Sequence, residues 1–169
     1  MKRIFAFLLV LTLAFSLCAC GQKAPETPET TLPTETEPPV DPTYEFEVGF
    51  TVTMPAGFAE KESMLNDFFG AAADGSYSII ANKDPKVQYE NVEAFATALA
   101  KANGQEAPEQ DENGNYFVSY SNEKNGQHFY TAVREGETYI YRIAFYCPEE
   151  NWTEFEAVFP QWAATITVK

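Results

Sequence analysis

The sequence has 169 residues, with 25 acidic and 11 basic side chains, a formal net charge of −14, one histidine and three cysteines. A surface that negative repels phosphate backbones and argues against nucleic acid as a partner. One histidine and three cysteines leave too few ligands for a zinc centre and no basis for a disulfide framework.

Lys2 and Arg3 are followed by fourteen almost unbroken apolar residues, Ile4 to Leu17. A membrane span takes about 20 such residues. A basic start, a short apolar run and small residues beyond it mark a secretory signal peptide instead. Leu17, Cys18, Ala19 and Cys20, followed by Gly21, resemble the lipobox of bacterial lipoproteins. That resemblance implies that 1–19 is a signal peptide, that Cys18 leaves with it, and that Cys20 carries the lipid. Two acyl chains hold a protein stably where one does not, and the diacylglyceryl group implied by the resemblance supplies two. The expected location is the extracytoplasmic face of the bacterial cell membrane, with attachment through the lipid on Cys20 alone.

Residues 20–43 read as the lipidated cysteine and a stalk. Gly21 to Pro42 holds six prolines, five threonines and five acidic residues. Such a stretch buries too little apolar surface to offset its ordering entropy and is expected to be disordered. Fully extended as polyproline II, it spans up to about 70 Å. Residues 44–169 have the size of one globular domain, able to bury around two thirds of its unfolded surface.

Tyr44 to Met54 alternates and is rich in β-formers, a strand or bulged pair with its irregularity at Gly49 and its end at Pro55. Phe68–Ala73 and Tyr77–Lys83, joined through Asp74-Gly75, predict a hairpin. Val92, Phe95, Ala96 and Leu99 recur at helical spacing between an N-cap at Asn91 and a stop at Gly104. Tyr116–Ser121, His128–Arg134 and Glu137–Cys147 then read as a three-strand antiparallel meander. The last of these is apolar on both faces and needs cover on both. The second cover is expected from a helix over Glu149–Trp162, with Trp152, Phe155, Phe159 and Trp162 on one stripe and a kink at Pro160. Thr165–Val168 makes a last strand.

These elements predict an α+β fold, an antiparallel sheet covered by helices on both faces in an α/β/α sandwich. "FTVTMPAGF" at 50–58, the helix after the first hairpin, the meander and the closing aromatic helix and strand resemble the PsbP-like group. That group includes the photosystem extrinsic protein, a Ran-binding eukaryotic relative and many bacterial lipoproteins. The resemblance implies a protein-binding or accessory role without catalysis, and it carries no site residues over to this chain.

The residues themselves offer few reacting groups. A Cys147–His128 dyad is the arrangement to test for nucleophilic catalysis. If the Glu135-Gly136 turn sets the register, His128 lies opposite Ile143 and Cys147 lies about 13 Å further along, which argues against the dyad and for Cys147 as a small buried apolar residue. Glu109, Asp111, Asn113 and Gly114 match the first, third, fifth and sixth positions of a calcium loop, but Tyr120 stands where the bidentate glutamate belongs. No metal site and no cofactor are expected. Tyrosines crowd the meander, and Tyr116, Tyr120, Tyr130, Tyr139 and Tyr141 are the candidates for a ligand platform. Ordinary sheet packing is the competing explanation.

The expectation is therefore a lipid-anchored extracytoplasmic accessory domain that binds an envelope protein partner. A module for a small ligand or cell-wall glycan, using those tyrosines, is the alternative, and a carboxylate-dependent hydrolase the second alternative. Nothing in the residues bears on the oligomeric state.

Overall fold

In the computed structural model, which describes residues 40–169, the alternating stretch that opens the domain folds back on itself. The signal peptide, Cys20 and the stalk up to residue 39 lie outside the described residues. Strand β1 (Thr43–Phe46) pairs antiparallel with β2 (Phe50–Thr53), and Gly49 belongs to the turn between them. Gly49 has φ +107°, and a Cβ there would lie 2.8 Å from the Tyr141 hydroxyl, so the turn needs a residue without a side chain.

Strands β3 (Phe58–Glu60), β4 (Phe68–Ala72) and β5 (Ser78–Pro85) follow. The β4–β5 hairpin turns at Asp74-Gly75 as expected, with the Asp74 carboxylate accepting the Ser76 N–H at 3.0 Å and its hydroxyl at 2.7 Å. Helix α1 (Val92–Ala102) starts where Asn91 Oδ1 accepts the Ala94 N–H at 2.8 Å, and its far end is closed by the Gln105 N–H on the Ala100 carbonyl at 2.9 Å. The short β6 (Glu109–Gln110) precedes the meander β7 (Tyr116–Asn122), β8 (Gln127–Glu135) and β9 (Tyr139–Pro148). All the sheet pairings are antiparallel, giving a seven-stranded order β3-β4-β5-β9-β8-β7-β6.

Along β8 every residue from His128 to Arg134 is buried, so this strand is covered on both sides. On one face Phe95 and Ala96 of α1 pack on Val133 and Ile140. The other face carries the larger core. It is closed by helices α2 (Trp152–Phe155) and α3 (Val158–Ala164) and by a three-stranded sheet in which β2 is flanked by β1 and by β10 (Thr167–Val168). Phe50, Met54, Ile79, Ile143, Phe145 and Phe159 are its best-buried side chains. The second cover thus combines helices with a small sheet, since the opening hairpin leaves the main sheet to lie over it.

The closing helix differs from expectation in one detail. Instead of one helix over Glu149–Trp162, a 3-10 turn at Glu149–Asn151 leads into α2, and the ladder is interrupted at Glu156 and Ala157 before α3 begins. Pro160 sits in the first turn of α3. Its missing N–H cannot bond the Glu156 carbonyl one turn earlier, which places the break upstream of the proline.

The β8–β9 register also differs. Glu135 pairs with Ile140 and Arg134 with Tyr141, so His128 lies opposite Cys147, not Ile143. The connection is wider than a two-residue turn, with the Gly136 N–H bonded to the Tyr139 carbonyl at 2.9 Å. The two registers differ by four residues, an even number, so every side chain keeps its face in both. The hydrophobic alternation of the sequence is blind to that difference.

Candidate functional site

The observed register puts the only histidine beside two strands' worth of polar groups. His128 faces Ser121 across the β7–β8 ladder and Cys147 across β8–β9. Its Nε2 is 3.0 Å from Ser119 Oγ and its Nδ1 is 3.1 Å from Ser121 Oγ, while Ser121 donates to Glu149 Oε1 at 3.0 Å. Glu149 itself approaches Nδ1 to 3.5 Å. The indole of Trp152 lies parallel to the imidazole at 3.6 Å. Glu149 and Trp152 stand here because β9 ends at Pro148 and the chain turns directly over the sheet into the 3-10 turn and α2.

Cys147 is fully buried, and no hydrogen bond joins it to His128. Burial pushes its thiol up to about 11, with Glu149 and Glu154 adding to the effect. A thiol so held is no nucleophile. The dyad is therefore absent for a reason other than distance along the strand: the two residues are ladder partners, but the imidazole is engaged by serines and the thiol is desolvated.

Ser119 opens onto a cleft of about 550 Å³ between the β6–β7 hairpin and the closing helices. That volume is in the range of small-molecule and peptide sites, about 300–1,000 Å³. Phe117 and Tyr130, stacked at 4.9 Å, form its floor, and Trp152, Pro160 and Gln161 its helical wall. Asp111, Glu112 and Glu156 line it and, among the described residues, no lysine or arginine does, so it favours neutral or cationic occupants.

Asp111 holds the hairpin beside the cleft. Burial pushes its carboxyl up, but the bonds it accepts from Asn115 and Asn113 and the charge of Arg134 outweigh this and hold it below the ordinary aspartate range. It accepts the Asn113 and Asn115 N–H groups at 2.9 Å each, so the segment that resembles a calcium loop is a self-bonded hairpin turn. Arg134, itself buried, reaches Asp111 at 3.5 Å and donates to the Ala163 carbonyl at 2.7 Å, tying the hairpin to the end of α3. Among the described residues no group of three or more His, Cys, Asp or Glu side chains is placed to hold a metal ion.

No protein-family model matches the sequence, and no curated protein sequence matches it. Among solved structures the chain superposes on cyanobacterial PsbP (CyanoP) from Synechocystis sp. PCC 6803 with a TM-score of 0.56, covering 80% of this chain and 96% of that one at 13% sequence identity. The fold is PsbP-like. A crystal structure from Bacteroides thetaiotaomicron VPI-5482 matches at a TM-score of 0.44 and 15% identity, covering 71% of this chain and 45% of that one. At 13% identity the likeness to CyanoP concerns the backbone path, and the side chains of the cleft must be judged on their own geometry.

The five tyrosines do not share one surface of the PsbP-like sheet. Tyr116 and Tyr120 lie on the face of α1, where Tyr116 packs against the smaller core and Tyr120 stacks on Phe129 at 5.2 Å. Tyr130 and Tyr141 are buried on the opposite face, and Tyr139 packs beside them under Lys83. Burial pushes the Tyr130 phenol up to about 12. Of the five, Tyr130 alone lines the large cleft, as part of its floor. Sequence reasoning missed Ser119, Ser121, Glu149 and Trp152 as neighbours of His128. The serines' period-two spacing on β7 was visible, but the register that brings His128 to them was not.

Proposed function

We propose that this chain is a lipid-anchored extracytoplasmic accessory domain whose cleft between the β6–β7 hairpin and helices α2–α3 receives an envelope protein partner. The anchor rests on the lipobox resemblance around Cys20, and the accessory role is the one the PsbP-like fold suggests. The carrying observation is the cleft itself, with an aromatic floor, amide and carboxylate groups at its rim, and room for a few side chains of a partner. Its charge selects a basic or neutral segment. Among the described residues no helix is long and apolar enough to cross a membrane.

A photo-crosslinking amino acid placed at the exposed Gln161 tests this reading, with Lys101 on α1 as the control position on the opposite face. On intact cells, Gln161 should capture one envelope protein that Lys101 does not, and Cys20→Ser should abolish the capture by releasing the chain from the membrane. Equal capture from both positions, or none from Gln161, overturns the proposal. The second outcome would transfer the cleft to a small ligand or cell-wall glycan, stacked on Trp152 and Phe117.

A further inference from the structure

The hydrogen-bond chain around His128 has a definite polarity. An ionised carboxylate only accepts, so Ser121 donates its hydroxyl proton to Glu149. With that proton used, Ser121 Oγ meets Nδ1 of His128 as an acceptor, and the proton of the neutral imidazole belongs on Nδ1. Nε2 is then an acceptor, 3.0 Å from Ser119 Oγ, and the Ser119 hydroxyl donates to it. A serine bonded to an imidazole whose other nitrogen leads to a carboxylate is the arrangement that activates a hydroxyl for attack. Here a second serine is interposed.

The strand supplies a donor for the charge that such an attack creates. In an antiparallel strand, successive residues turn their N–H and C=O groups to opposite edges. The Asn122 carbonyl accepts the Gly126 N–H at 3.0 Å, closing the β7–β8 hairpin, while the Asn115 carbonyl accepts the Asp111 N–H at 2.9 Å on the other edge. Alternation from these two anchors turns the Ser119 N–H away from β8. The β6 pairing ends at Phe117, so this N–H faces the open edge of the sheet. A nucleophile's own N–H is well placed to bond the oxyanion of its adduct.

We propose that Ser119 is a reactive nucleophile with His128 as its general base, acting on carboxylic esters whose leaving group is a neutral or cationic alcohol or phenol. The charge preference follows from Asp111, Glu112 and Glu156 in the same cleft. As the Oγ–C bond forms at the acyl carbon, the hydroxyl proton passes to Nε2 and the carbonyl π pair moves onto oxygen. Collapse of the adduct breaks the bond to the leaving oxygen, which takes the proton from Nε2. A water molecule then repeats the sequence and releases the carboxylic acid. Ser121 and Glu149 are positioning residues that hold the proton on Nδ1, and Trp152 shields one face of the ring. This activity goes beyond the accessory role and does not depend on the partner.

The test is to treat the full-length protein in detergent with an alkyl fluorophosphonate. Ser119 Oγ displaces fluoride at phosphorus, the hydroxyl proton goes to His128, and peptide mass spectrometry locates the adduct. Ser119 is expected to be modified at least about tenfold faster than Ser76 or Ser121 of the same chain. Ser119→Ala should remove the adduct, His128→Gln should slow it at least about tenfold, and Glu149→Gln at least about threefold. Glu149 is exposed, so its variant keeps the fold should His128→Gln lose it. Modification of Ser119 no faster than of the other serines, or an unchanged rate in folded Glu149→Gln, overturns the proposal, whatever the outcome of partner capture at Gln161.

Discussion

The imidazole of His128 and the indole of Trp152 stack 3.6 Å apart and within 9° of parallel, joining the central strand of the meander to the closing helix. Trp152 also meets Phe159 at 6.1 Å, so it bridges the polar site and the aromatic core. Because it is only half-buried, Trp152→Ala should cost less than a core tryptophan, about 2–3 kcal/mol by urea denaturation. The variant should also enlarge the cleft. A loss below about 0.5 kcal/mol would mean that the stack contributes nothing to holding α2 on the sheet.

The Asp111–Arg134 pair makes stability depend on pH. Asp111 has a folded-state pKa below its ordinary value of 3.8, so the unfolded chain binds its proton more readily than the folded one. Its contribution is therefore complete above the ordinary value and fades as pH falls through the lowered one. Asp111→Asn should destabilise the fold by about 2 kcal/mol at neutral pH, leaving buried Arg134 without its carboxylate. The gap between wild type and variant should close as pH falls through that lowered value in denaturation curves. A gap independent of pH would remove the ionised carboxylate from the explanation.

Cys147 should be chemically silent in the folded protein. With the thiol fully buried and pushed up to about 11, iodoacetamide at pH 8 should alkylate it at least about 100-fold more slowly than in urea, followed by peptide mass spectrometry. Rapid alkylation without unfolding would contradict the buried register opposite His128.

Gly49→Ala should destabilise the opening hairpin, because the backbone stands at φ +107° and the new Cβ meets the Tyr141 hydroxyl. The expected loss is about 1–3 kcal/mol of unfolding free energy by urea denaturation. Combining it with Tyr141→Phe separates the two causes. Removing the hydroxyl should recover the steric part, and the strain of the backbone should remain.

Much of this protein was legible in its residues. Asn91 and the spacing of Phe95, Ala96 and Leu99 determine α1, because a helix start and an apolar stripe are local facts. Asp74-Gly75 determines a turn, and the two-sided apolar pattern of Tyr139–Cys147 demands cover on both faces, which α1 on one side and α2, α3 and the small sheet on the other provide. Pro160 announced an interruption and left its place, one turn upstream, to helix geometry. The site was not legible, because it depends on which residue of β8 faces which residue of its neighbours. Any even slip of β9 keeps its side chains on the same faces, so His128 opposite Ile143 and His128 opposite Cys147 satisfy the hydrophobic pattern equally. The tertiary structure decides between them through the wide β8–β9 connection and the pairing of Ile140 with Asp84 on β5. Only the fold then brings Glu149 and Trp152 over the ring of His128, and only the fold divides the five tyrosines between two faces, since strand alternation assigns a face within each strand and the cross-strand register assigns the neighbours.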